Sequence, residues 1–100
     1  GCSFSKLFLG VDGIDPEYGI STTDLREAHL NQIMMGAAQK TIVLADSSKF
    51  GRRGFAKIAN LSDVDMIITD SNVSKQTMAK MEELGIEVVV AQIAATTKTE

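Results

Sequence analysis

Four short apolar runs divide the chain: Leu7-Phe8-Leu9-Gly10-Val11, Thr41-Ile42-Val43-Leu44-Ala45, Met66-Ile67-Ile68-Thr69 and Ile86 to Ala91. Each is largely continuous rather than alternating, the pattern of strands buried on both faces, parallel and sandwiched by helices. Between the first two runs, Leu30, Ile33, Met34, Ala37 and Ala38 recur at three- and four-residue steps and predict one apolar stripe of an amphipathic helix. Asp24 with Glu27 three positions on resembles a capping box and places the helix start near Asp24. Between the last two runs, Val73, Thr77, Met78, Met81 and Leu84 form a second stripe, with Ser74 as N-cap and Gly85 as C-terminal glycine.

The alternation of strand and helix predicts an α/β domain, a mostly parallel sheet of about four to five strands with flanking helices. Residues 1–100 read as a single domain. The stretch from Ser47 to Asp65 is open: Phe55-Ala56-Lys57-Ile58-Ala59 fits a short edge strand or a turn of helix. The polar tail Thr96 to Glu100 is expected to fray.

Composition narrows the function classes. At 44% hydrophobic and 23% charged residues, with eight glycines and one proline, the chain is an ordinary globular protein. A formal net charge of −3 gives no excess of Lys and Arg, so this chain does not itself grip nucleic acid. Cys2 is the only cysteine, which excludes an intrachain disulfide and a multi-Cys metal site and points to a reducing, cytoplasmic setting. The apolar runs, at about five residues, fall far short of the roughly 20 that span a bilayer, and no signal peptide opens the chain. It opens Gly-Cys-Ser rather than with Met, and is expected to be a piece of a longer protein.

Three of the four strands are followed at once by an aspartate, Asp12, Asp46 and Asp70. In open parallel sheets, ligands sit outside the carboxyl ends of the strands, and carboxylates there accept hydrogen bonds from several hydroxyls, as a sugar requires. Taken singly, each Asp is a good turn residue, whereas three together point to a site. Gly10-Val11-Asp12-Gly13-Ile14-Asp15 sets two glycines and two acids on one tight turn. Lys49, beside Asp46 and two serines, suits a phosphate or carboxylate, while Arg52 and Arg53 read as a solvated basic loop. Glu27 either closes the capping box or faces the strand-end crevice, and the two are compatible. His29 has no catalytic partner at a telling spacing, and the five methionines read as core. No Ser-His-Asp, HExxH or P-loop pattern occurs, and neither a metal nor a cofactor is implied.

Phe8-Leu9-Gly10-Val11-Asp12-Gly13-Ile14, Gly19, Asp46-Ser47-Ser48-Lys49-Phe50-Gly51 and Ile67-Ile68-Thr69-Asp70 together resemble the C-terminal effector domain of the DeoR family of bacterial transcriptional regulators. The resemblance runs in order from about Leu7 to Ala91. It implies a domain that senses a phosphorylated sugar, with DNA bound by a winged helix-turn-helix domain outside this chain. More distantly, Asp12-Gly13-Ile14-Asp15, Arg26-Glu27 and Ala45-Asp46-Ser47-Ser48-Lys49 are similar to elements of ribose-5-phosphate isomerase. The fold so implied is a Rossmann-like partial domain of the sugar-phosphate isomerase/CoA-transferase type. By that similarity the ligand-binding residues are Asp12, Gly13, Asp15, Glu27, Asp46 and Lys49.

The isomerase carries a Lys-Gly-Gly-Gly element where this chain has Tyr18-Gly19-Ile20-Ser21-Thr22-Thr23. A proton-shuttling carboxylate without the cation that stabilises a developing enediolate makes a poor catalyst, so a sensor is favoured over an isomerase with Glu27 as base. The Ser/Thr/Gly-rich phosphate loop of both groups would lie before Gly1. Sheet edges left open by its absence, and apolar helix faces, are expected to be covered in a homo-oligomer.

Overall fold

The computed structural model describes residues 4–91. Four strands, β1 (Phe4–Gly10), β4 (Ala38–Leu44), β6 (Met66–Asp70) and β7 (Glu87–Ala91), form one sheet in the order β1-β4-β6-β7, and every pairing is parallel. Between β1 and β4 lie the short strands β2 (Gly13–Asp15) and β3 (Gly19–Thr22) and helix α1 (Leu25–Ala37). Strand β5 (Ala56–Ala59) falls between β4 and β6, and helix α2 (Lys75–Glu83) between β6 and β7. Strands β2, β3 and β5 make a second, antiparallel sheet. Phe55 to Ala59, open between strand and helix in the sequence, therefore supplies an edge strand of that second sheet.

The helix ends form as their chemistry dictates. Asp24 caps α1 by accepting the Arg26 N–H at 2.8 Å, and Ser74 caps α2 by accepting the Thr77 N–H at 3.0 Å. Gly85 follows α2 with φ +86°, the left-handed conformation that ends a helix.

All three connections between parallel strands step the same way across the sheet. Such crossovers are right-handed, so everything they carry stacks on a single face. The core lies on that face: Leu9, Val43 and Ile67 from the parallel sheet, Ile14, Ile20 and Ile58 from the second sheet, Ala28 from α1 and Met81 from α2. This corrects the expected two-sided sandwich. By strand alternation the opposite face carries Phe8, Ile42, Leu44, Met66, Ile68 and Val89, of which only Ile42 is buried. No described element covers it.

A second correction concerns α1. Its apolar stripe does not face the core: Leu30 and Ile33 are 54% and 58% exposed, while Ala28 and Asn31 are buried and Met35 packs inward. At 100° per residue, positions 28, 31 and 35 lie on one side and 30, 33 and 37 on the other. The helix runs close to β5, where Gln32 Nε2 donates to the Lys57 carbonyl at 3.3 Å, and small or polar side chains fit that contact.

Candidate functional site

The carboxyl ends of the parallel strands enclose a crevice of about 530 Å³. It is lined by Asp12 just past β1, Glu27 in the first turn of α1, Asp46 and Lys49 after β4, and Thr69 and Asp70 closing β6. This is the place where an open parallel sheet holds its ligand, because the chain must turn away from each strand there and leaves side chains pointing into the gap. A hollow of similar size, about 560 Å³, opens at the amino ends of β4 and β6 beside Gln39, Asn60 and Asp65. It lacks the convergence of strand-end groups.

At the crevice wall the Thr22 hydroxyl stands 2.9 Å from Asp12 Oδ2 and 2.8 Å from Glu27 Oε1. Thr22 is buried at the end of β3, so it holds the two carboxylates beside one another from behind. A hydroxyl owns one proton and can satisfy only one of them at a time. Among the described residues, the remaining oxygens of these two carboxylates have no donors of their own, which suits them to the hydroxyls of a ligand. Glu27 is therefore turned toward the crevice wall and Thr22 in the structure.

Lys49 is the cation of the crevice. It sits at the end of a 3-10 turn over Ser47–Lys49, three-quarters buried, with Nζ 3.8 Å from Asp46 Oδ2. Gly13 and Asp15 lie outside the lining. The space where a Gly13 Cβ would go is taken by the Arg52 carbonyl and the Ser21 hydroxyl, so this glycine serves the packing of β2. Asp15 closes the turn after β2, accepting N–H bonds from Glu17 at 2.9 Å and Tyr18 at 2.7 Å, with Arg53 at 3.2 Å. Among the described residues, no group of three or more His, Cys, Asp and Glu side chains is placed to hold a metal ion. No described helix is long and apolar enough to cross a membrane.

Residues 1–71 match the family described as the DeoR C terminal sensor domain. The chain belongs to the DeoR family. Over 87 residues the DeoR domain is 42% identical to an Escherichia coli O157:H7 protein named for transcriptional repression of the aga operon, covering 87% of this chain and 32% of that protein. Over 87 residues it is also 37% identical to the HTH-type transcriptional regulator GlpR of Haloferax volcanii, covering 87% of this chain and 34% of the relative. It thus spans about a third of the length of the curated relatives it matches.

Three aspartates of the DeoR domain are held as anions by hydrogen bonds that also shape its turns. The Tyr18 N–H lowers the Asp15 carboxyl from its usual value against the opposing effect of burial, aided by the Glu17 N–H and Arg53. Asp46 is lowered by the Ser48 hydroxyl and then by the Ser48 N–H, both at the start of the Lys49 turn. Asp70 is lowered by the Ser47 N–H at 2.9 Å and then by the Asn72 N–H at 2.8 Å.

Each of these groups binds protons more weakly in the folded chain than in the unfolded one, so stability rises with pH where they titrate. Their contribution is complete above about pH 5 and is lost as pH falls through the lowered folded values. The urea midpoint is therefore expected to hold steady from neutrality to about pH 5 and then to fall. Asp70→Asn should flatten that fall, and equal acid slopes for wild type and variant would refute the assignment.

Sequence reasoning passed over Thr22 and Thr69. Thr22 belongs to the loop noted only for lacking a lysine, and a threonine in a loop carries no signal by itself. Thr69 did carry one, as the only hydroxyl in the aliphatic run Met66-Ile67-Ile68-Thr69.

Proposed function

We propose that this domain senses a phosphorylated sugar on behalf of a sugar-metabolism repressor and acts by binding rather than turnover. The observation that carries the reading is the strand-end crevice, where Asp12 and Glu27 stand side by side across Thr22 with Lys49 on the adjoining turn. Carboxylate acceptors of this kind suit the hydroxylated carbons of a sugar. Four carboxylates against one lysine do not suit a phosphate, so the phosphoryl group is directed away from Asp12 and Glu27 toward parts of the parent protein outside these residues. Membership in a sensor-domain family, and relatives named as transcriptional regulators, support the same reading.

Asp12, Asp46, Lys49 and Glu27 are the ligand-binding residues of this proposal, with Gly13 and Asp15 supporting the turn from which Asp12 projects. DNA is bound by a separate domain of the parent. The parent is a homo-oligomer in the cytoplasm, and the outward Leu30–Ile33 stripe of α1 belongs to its contacts, because an isologous pair can match this short stripe with its own copy.

Sensing is then a matter of coupling. The sugar phosphate binds one arrangement of the oligomer better, and that arrangement fits the operator worse. A hundredfold change in operator affinity needs about 2.8 kcal/mol of coupling. The test is an operator-binding titration of the full-length protein, of known mass by light scattering, with pentose and hexose monophosphates. At least one should shift operator affinity tenfold or more. Operator binding indifferent to all of them would sink the sensor reading, and turnover of any of them would replace it with the isomerase.

A further inference from the structure

Strand β6 alternates so that Ile67 and Thr69 face the core side while Met66, Ile68 and Asp70 face the other. Thr69 is 3% exposed, and its Oγ1 is buried without a hydrogen-bond partner among the described residues. Among the described residues, nothing calls for a hydroxyl there. Its partner in register on β7 is Val90, and the preceding core-side residue is Ile67. Valine has nearly the same shape and would avoid the cost of desolvating an unpaired hydroxyl.

The same residue lines the strand-end crevice together with Asp12, Glu27 and Lys49. Thr69 and Asp12 rise from β6 and β1, with β4 between them, so they stand at separate positions along the crevice floor. Rotation about the threonine χ1 carries the hydroxyl from one staggered position to another without moving the backbone. Such a rotation is the one movement needed to turn the hydroxyl toward the crevice that Thr69 lines.

We propose that Thr69 is a ligand-binding residue, whose hydroxyl, without a partner among the described residues, meets an oxygen of the bound sugar phosphate. The proposal rests on the sensor reading of the crevice. It adds to that reading a neutral contact on β6, two strands from the β1 end where Asp12 stands, so the ligand reaches across the sheet instead of resting at Asp12 and Glu27 alone. Ligand binding also relieves the unpaired hydroxyl, which makes Thr69 a contact that favours the occupied state in particular.

The test is calorimetric titration of the full-length protein with the tightest binder among a panel of pentose and hexose monophosphates, paired with thermal melts in the absence of ligand. Thr69→Val should bind about tenfold more weakly while melting at the wild-type temperature or above it. Thr69→Ser should bind within about threefold of wild type, because it keeps the hydroxyl. Wild-type affinity in the valine variant would overturn this proposal and leave the sensor reading standing. A valine variant that loses melting temperature along with binding would mark a structural residue and overturn it as well. If the wild-type protein binds none of the panel, the sensor reading fails and takes this proposal with it.

Discussion

Gly19→Ala should lower the melting temperature by more than 10 °C, given a loss of roughly 3 kcal/mol and about 4–8 °C per kcal/mol in a domain of this size. Gly19 has φ +98°, a conformation that costs an L-residue about 1–2 kcal/mol. A Cβ there would also run into the Ala59 carbonyl oxygen, a backbone atom that no side-chain rotation can move aside. The ladder between β3 and β5 begins next door, at Ile20 opposite Ala59, so relieving the clash means opening the second sheet where Ile20 and Ile58 are buried. Gly36→Ala is the control. Gly36 lies inside α1 with open space around it, and alanine should stabilise the chain by about 0.5–1 kcal/mol. A Gly19→Ala protein melting within two or three degrees of wild type would mean that β3 and β5 are not paired as described.

The second large effect is on affinity. Asp12→Asn combined with Glu27→Gln keeps an oxygen on each side chain to meet Thr22, yet removes both charges and turns half of each acceptor pair into a donor. Hydrogen bonds to charged groups contribute about 1.5–3 kcal/mol each, so under the proposed sensor function the double variant should bind a sugar phosphate at least a hundredfold more weakly. Operator release should shift to correspondingly higher ligand concentration, while stability changes little, because Glu27 is exposed and Asp12 only partly covered. An enzyme would behave differently, losing turnover with Glu27→Gln alone while keeping most of its substrate affinity. A double variant that releases operator at the wild-type ligand concentration would remove these carboxylates from the site.

The parallel sheet was legible in the sequence because its strands are continuous apolar runs, and the caps at Asp24, Ser74 and Gly85 because each is a local hydrogen-bond arrangement. The second sheet was not. Strands of three and four residues show no periodicity, and β3 finds its partner β5 more than thirty residues away, a pairing no short window contains. For α1 the period was readable but not its direction. A stripe every three to four residues says that a helix has two unlike faces, and only the packing of Ala28 and Asn31 against the core says which face turns inward. At the crevice, the strand-end rule singled out Asp12, Asp46 and Asp70 from sequence, and the structure adds that they share a wall with Glu27 and Lys49. Thr22 depends on contacts with Asp12 and Glu27 that spacing does not encode, whereas Thr69 was marked in the sequence only as a hydroxyl within an aliphatic run.

Asp70 accepts the N–H of Ser47 from the turn that carries Lys49, so the loop after β4 is fastened to the end of β6 by a charge-assisted bond. The ordering of that loop is settled while the chain folds. If Lys49 belongs to the binding site as proposed, a ligand arriving there meets a rim already in position, and less of the entropic cost of capture falls on this loop. On the proposed sensor reading, discrimination between two sugars becomes a matter of how each fits a rim already in place, which ties selectivity to the stiffness of β4 and β6 instead of to a closing loop.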